Sequence, residues 1–211
     1  MTMEKAVSLA FPTPIGCYRL PPSEAAAMND DLRRIILERE RCEASQNRAN
    51  AGGWHSQQDL LEWDDPVVGR LRPLLREAVE HMARSAMSVI RRADVSPGAV
   101  GPLTIKAWAN ISRRGNYHRI HNHPRSCWSG VYYVAVGSSA PDHPLSGLLE
   151  LMDPRPFTEM VNTPGEPFGQ KLAIPPEAGT IIVFPSWIYH FVNPYHGDGE
   201  RISIAFNAAA A

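Results

Sequence analysis

Past Ser96-Pro97-Gly98 the chain changes character: apolar and β-branched residues recur with period two, in short runs separated by proline and glycine. A period of two is the signature of a strand with one face buried. The nineteen prolines concentrate after residue 95, where they end strands and occupy turns. Runs at 103–111, 118–123, 130–136, 147–152, 171–174, 180–184, 188–192 and 201–207 read as strands. So many short strands joined by turns predict a sandwich or barrel, specifically a jelly roll.

The residues before that point have a different period. A short apolar stretch within 6–20, broken by Pro12 and Pro14, reads as an edge strand. From Glu24 to about Arg41, Leu32, Ile35, Ile36 and Arg39 fall on one helical face, with Ser23 expected as N-cap. Interleaved Glu38 and Glu40 make the arginine-bearing face of that helix a solvated one. Asp64-Asp65-Pro66 opens a second helix, about 66 to 92, whose stripe is Val67, Leu71, Leu74, Leu75, Val79 and Met82. His81 lies within it as a structural residue. Between the helices, 42–58 is a polar loop in which Trp54 and His55 are read as capping the core, with lining a site as the alternative. The expected architecture is mainly β (α+β), with the N-terminal helices packed on one sheet. Residues 1–211 form a single domain, with 1–97 as support and 98–211 as the β core.

Several function classes are excluded by composition. Twenty-one Lys and Arg stand against 22 Asp and Glu, so no broad basic surface for nucleic acid or anionic membrane is expected. Cys17, Cys42 and Cys127 are scattered without a CxxC pair, which argues for a reducing compartment and against a cysteine zinc site. No run approaches 18 apolar residues, and the first sixteen residues lack a signal-peptide core. The expectation is a soluble, cytoplasmic protein acting on a small molecule or a peptide, with homodimerisation open.

The chemistry concentrates in YHRIHNHPRSCWSGVYYV, residues 117–134. His121 and His123 share a face if the strand is regular, since i and i+2 lie about 7 Å apart on the same side. Two imidazoles aimed at one point, joined by His190 from PSWIYHFVNP, make a mononuclear metal site with open positions. His118, at odd spacing, is expected on the opposite face. If 190–201 is a β-hairpin centred near 195–196, Arg201 stands across from His190, with Ser203 on the same face. A guanidinium fork and a hydroxyl beside a metal form a carboxylate pocket. Arg201, Ser203 and Ala205 alternate with Ile202, Ile204 and Phe206, so one face is expected to line a cavity. Asp153 is a candidate carboxylate ligand or a local partner of Arg155, and Glu150 a candidate partner for a ligand imidazole. Trp108, Asn110, Trp128 and Trp187 are candidates to frame the cavity. His143 and His196 are expected on exposed loops.

These segments together resemble a known family. GGWHS, HNHPRSCWSGVYYV, Asp153 to Arg155, FPSWIYH and RISIAFN are similar to a bacterial and phage group within the iron(II)- and 2-oxoglutarate-dependent oxygenases. The resemblance implies a double-stranded β-helix, with His121 as first and His190 as distal histidine of the iron triad. It places Arg201 on the far carboxylate of 2-oxoglutarate, with Ser203 as companion and Tyr133 reaching the same group. The implied reaction is oxidative decarboxylation of 2-oxoglutarate by O2, to succinate and CO2, coupled to hydroxylation of an unreactive C–H bond. His123 departs from the family, which has a carboxylate there, so Fe(II) and its ligands carry one more positive charge. A chloride-admitting small residue is absent, which disfavours halogenation. The departure also resembles three-histidine cupin-type dioxygenases, which need no oxo-acid. A third reading is a non-catalytic metal- or small-molecule-binding module on the same fold.

Overall fold

The computed structural model describes residues 11–89, 101–138, 140–160, 164, 169 and 171–211. Its elements are β1 (Gly16–Arg19), α1 (Pro22–Cys42), β2 (Asn50–Ala51), β3 (Trp54–His55), α2 (Pro66–Val89), β4 (Leu103–Ser112) and β5 (Tyr117–His121), followed by β6 (Trp128–Ala135), β7 (Leu149–Met152), β8 (Lys171–Ile174), β9 (Thr180–Pro185), β10 (His190–Val192) and β11 (Arg201–Ala210). All eight expected strands form, and they pair into two antiparallel sheets. The larger has the order β1-β9-β6-β11-β4-β3 and the smaller β2-β5-β10-β7-β8. This is the double-stranded β-helix, with β1 on an edge as expected.

Strand alternation decides what each face of the larger sheet meets. Ile202, Ile204, Phe206 and Ala208 join Ala107, Ala109, Ile111, Tyr132, Ile181 and Val183 against the helices. From α1 come Met28, Leu32, Ile35 and Ile36, and from α2 come Val67, Leu71, Leu75, Val79 and Met82, the stripes expected from 3.6-residue periodicity. Tyr133, Ile182 and Phe184 point the other way, into a smaller core between the sheets with Leu149, Leu151, Ile188 and Val192. Neighbouring Tyr132 and Tyr133 thus serve opposite faces. The Tyr132 hydroxyl donates to Asn29 Oδ1 on α1 at 2.5 Å.

One local expectation changes. Ser23 lies inside α1, whose N-cap is Pro21 with no capping side chain, because proline already presets the entry backbone. For α2 the cap is Asp65, whose Oδ1 accepts from the Val67 N–H at 2.9 Å. The expected end of α2 near 92 lies outside the described residues. Trp54 caps the helix-side core, its indole N–H donating to Glu43 O at 2.9 Å. His81 meets the Tyr18 hydroxyl at 3.2 Å, remote from the cavity. No described helix is long and apolar enough to cross a membrane.

Candidate active site

Between the two sheets lies a cavity of about 340 Å³. His121 sits at the end of β5 and pairs directly with His190 on β10. His123 is two residues beyond the strand, so its aim comes from a loop rather than from strand alternation. The His123 N–H donates to Ser186 O at 2.9 Å, which ties that loop to the turn before β10. Ring centroids lie 4.3 Å apart for His121–His190, 5.0 Å for His121–His123 and 5.1 Å for His123–His190. One ligand nitrogen from each falls within 4.8 Å of the others, close enough to share one ion.

The surroundings favour ligand forms of these rings. His121 Nδ1 meets Arg119 O at 2.7 Å and His190 Nδ1 meets Ile188 O at 3.0 Å. A carbonyl only accepts, so each Nδ1 carries the proton and each Nε2 keeps a lone pair for the cavity. Phe184 stands edge-on to His190, 4.9 Å between centroids, and limits its rotation. Burial pushes His123 down to about 4 and His190 down to about 3, with neighbouring histidines adding to the effect. Neutral imidazole is the form that binds metal. The donor set therefore fits a divalent transition ion, without a carboxylate.

Opposite the histidines, Arg201 is 2% exposed. The expected hairpin between 190 and 201 does not form: β10 belongs to the smaller sheet and β11 to the larger. His190 and Arg201 face each other across the cavity instead, because the chain changes sheets between them. Arg201 Nε donates to Gly147 O at 3.2 Å. Gly147 has φ +66°, and a Cβ there would sit 3.2 Å from Arg201 Cδ, so glycine serves both the turn and the close approach. The guanidinium carbon lies 5.3 Å from the centre of the Tyr133 ring. Tyr133 OH is buried and meets no hydrogen-bond partner of good geometry among the described residues. Among the described residues no carboxylate pairs with Arg201. A buried cation beside an unbonded hydroxyl fits an incoming carboxylate. Ser203 and Ala205 continue along the same wall, and Ser203 pairs with Tyr133 on β6.

Some candidates fall elsewhere. Both carboxylate oxygens of Asp153 are held by Arg155, at 2.5 and 3.0 Å, so it is the local partner rather than part of the histidine cluster. Glu150 points away from the cavity-lining Leu149 and pairs with Lys171 Nζ at 2.7 Å. It is neither exposed nor a partner for a ligand imidazole. Trp108 and Asn110 line the cavity, whereas Trp128 packs on the helix-side core and Trp187 is about half exposed. His143 is exposed and stacks on His196 at 3.8 Å.

Two cavity histidines are additional. His118 lines the cavity despite its odd spacing from His121. Val192 and His190 on β10 oppose His118 and His121, so β5 carries one extra residue there. A bulge of this kind turns both side chains to one face, and spacing alone cannot reveal it. His55 also lines the cavity, stacked on Trp108 with centroids 5.8 Å apart. Its position follows from the pairing of β3 with β4, where His55 lies opposite Asn110.

Comparison with known proteins agrees with this geometry. Residues 106–207 match the family model described as "Putative 2OG-Fe(II) oxygenase". A prolyl-4-hydroxylase from Pseudomonas putida superposes with a TM-score of 0.64 at 17% identity, covering 94% of each chain. A viral collagen prolyl hydroxylase from Paramecium bursaria Chlorella virus-1, solved with 2-oxoglutarate, gives 0.57 at 14% identity, over 93% of this chain and 96% of that one. HygX from Streptomyces hygroscopicus, with nickel and 2-oxoglutarate bound, gives 0.60 at 11% identity, over 94% and 84%. No curated protein matches the sequence. At these identities the structural likeness speaks for the fold.

Proposed function

We propose that the chain belongs to the 2OG-Fe(II) oxygenases whose family model residues 106–207 match, and that its own residues divide that work as follows. His121, His123 and His190 hold Fe(II). Arg201 and Tyr133 hold the far carboxylate of 2-oxoglutarate, with Ser203 beside them, and the product is a hydroxylated small molecule or peptide. Residues 1–211 act as one domain, and 98–211 carry these groups.

Fe(II) held by these imidazoles would supply the O2 activation that couples decarboxylation of 2-oxoglutarate, to succinate and CO2, with insertion of one oxygen atom into a substrate C–H bond. The protein supplies position and charge. Hydrogen bonds to Arg119 O and Ile188 O fix two of the imidazoles. A guanidinium fork and the Tyr133 hydroxyl fix the co-substrate from the other end. Val131, Leu149, Phe184 and Val192 give the cavity apolar walls that exclude water from around it.

The observation that carries this reading is the buried Arg201, without a carboxylate partner, facing three convergent imidazoles. The test is anaerobic titration of the Fe(II) protein with 2-oxoglutarate, following the visible metal-to-ligand charge-transfer band. Wild type should develop the band, and Arg201→Ala should lose it at the same concentrations. An iron-loaded wild type without any band would sink the reading. The all-histidine donor set would then point to direct dioxygenation without an oxo-acid.

A further inference from the structure

The cavity that takes 2-oxoglutarate has a second cationic end. Its lining residues include no Asp or Glu, but they include two guanidinium groups, Arg201 deep in the wall and Arg48 at the exposed margin. Many arginines elsewhere are paired: Arg34, Arg70, Arg84 and Arg113 all meet carboxylates. Arg48 has no side-chain hydrogen bond or ion pair among the described residues. Its backbone is nevertheless fixed, with the Arg48 N–H donating to Asn50 Oδ1 at 2.9 Å. The adjoining strand holds the same loop, through Arg119 N–H to Ala49 O at 2.9 Å. Gln58, also on the cavity margin, offers an uncommitted amide.

His55 and Asn110, which pair across β3 and β4, line the same cavity as Arg48 and the histidines. Asn110 is 2% exposed and its Oδ1 has no hydrogen-bond partner. A buried amide oxygen left unbonded costs free energy until a ligand or an ordered water meets it. Burial, more than the nearby Arg48 charge, keeps His55 in its neutral form, so it serves as a hydrogen-bonding group and adds no charge.

Charge counting gives the same direction. Three neutral imidazoles leave a divalent ion with its full charge, where a carboxylate ligand would cancel one unit. Together with both guanidinium groups the loaded cavity is strongly positive, and dianionic 2-oxoglutarate offsets only part of it. A cleft of one sign with low-dielectric walls attracts the opposite sign.

Resting on the function proposed above, we infer that the prime substrate enters as an anion. Its carboxylate or phosphate is held by Arg48, with Gln58 beside it, and its body reaches inward past His55 and Asn110. The residue that selects substrates is then Arg48, at the exposed margin of the cavity, whereas the co-substrate's Arg201 is buried.

The test uses the full-length protein loaded with redox-inert Ni(II) and saturated with 2-oxoglutarate. Hexanoate, hexyl phosphate and hexanol are compared by saturation-transfer NMR. At least one anion should bind roughly tenfold more tightly than hexanol, the scale of one charge-assisted contact. Arg48→Ala should remove that advantage and Arg48→Lys should keep part of it. Preference for hexanoate identifies a carboxylate substrate, and preference for hexyl phosphate a phosphorylated one. Hexanol binding as tightly as both anions, anion binding indifferent to Arg48→Ala, or no anion binding while 2-oxoglutarate still binds would each overturn the inference. Failure of 2-oxoglutarate itself to bind wild type, read from its own signals, would instead overturn the functional reading.

Discussion

The Arg201 guanidinium carbon sits 5.3 Å from the centre of the Tyr133 ring, and both side chains face the interior between the sheets. One carries an unpaired buried charge and the other an unbonded buried hydroxyl. Arg201→Ala should raise the 2-oxoglutarate Kd by about a hundredfold or more, in line with losing a bidentate charged contact. Tyr133→Phe should raise it about tenfold while leaving the melting temperature of the ligand-free protein unchanged or higher, because no hydrogen bond is lost on folding. Charge-transfer titration and differential scanning fluorimetry check the pair. A drop in melting temperature for Tyr133→Phe would contradict the assignment.

The histidines divide by role. Replacing His121 or His190 with alanine should weaken Fe(II) binding at least about tenfold, while His118→Ala should leave it within about twofold. Competition against a colorimetric chelator measures all three. If His118→Ala loses iron as His190→Ala does, the ligand set is wrong.

Acid should destabilise the metal-free protein. Folding lowers the pKa of His118 and His190 to about 3 and of His123 to about 4, mainly by burial. The unfolded chain therefore binds more protons below the ordinary histidine value, and stability falls as pH drops from about 6.5 toward 4. At about 1.4 kcal/mol per unit, each ring contributes at most about 3 kcal/mol to the loss. Thermal melts across that range should show it, and metal should partly reverse it near neutrality. A flat profile between pH 6.5 and pH 4 would contradict the burial of these rings.

Gly130 on β6 is packed from both sides: a Cβ there would lie 2.3 Å from Phe206 Cζ and 2.6 Å from Ile182 O. Gly130→Ala should destabilise by about 2 kcal/mol and lower the melting temperature by roughly 4–8 °C. The backbone oxygen is the contact that cannot move aside. A melting temperature equal to wild type would refute this packing.

How far the sequence reveals this arrangement depends on the signal. Alternation along β11 separates Ile202, Ile204 and Phe206 from Arg201 and Ser203 without any structure, because a strand has only two faces. The helix stripes are equally readable. His118 is not, since an extra residue in β5 reverses the parity that spacing assumes. The sheet exchange between His190 and Arg201 is also hidden: a Pro/Gly-rich connection of that length suits a hairpin as well as a crossing between layers. Arg48 and His55 come from a loop whose composition carries no period. They reach the cavity through the two-residue strands β2 and β3, too short to announce themselves.

The position of β11 bears on how the protein comes into being. It pairs with β6 on one side and β4 on the other, joining two portions of the larger sheet, and it is the last strand in chain order. Until the ribosome has released residues up to Ala210, β1-β9-β6 and β4-β3 have no strand between them. Without β11, β6 and β4 would each lack a partner along one edge, and open strand edges invite chaperones or aggregation. Arg201 lies on that same strand, so the carboxylate site proposed for it is complete only once β11 has joined the two portions of the larger sheet.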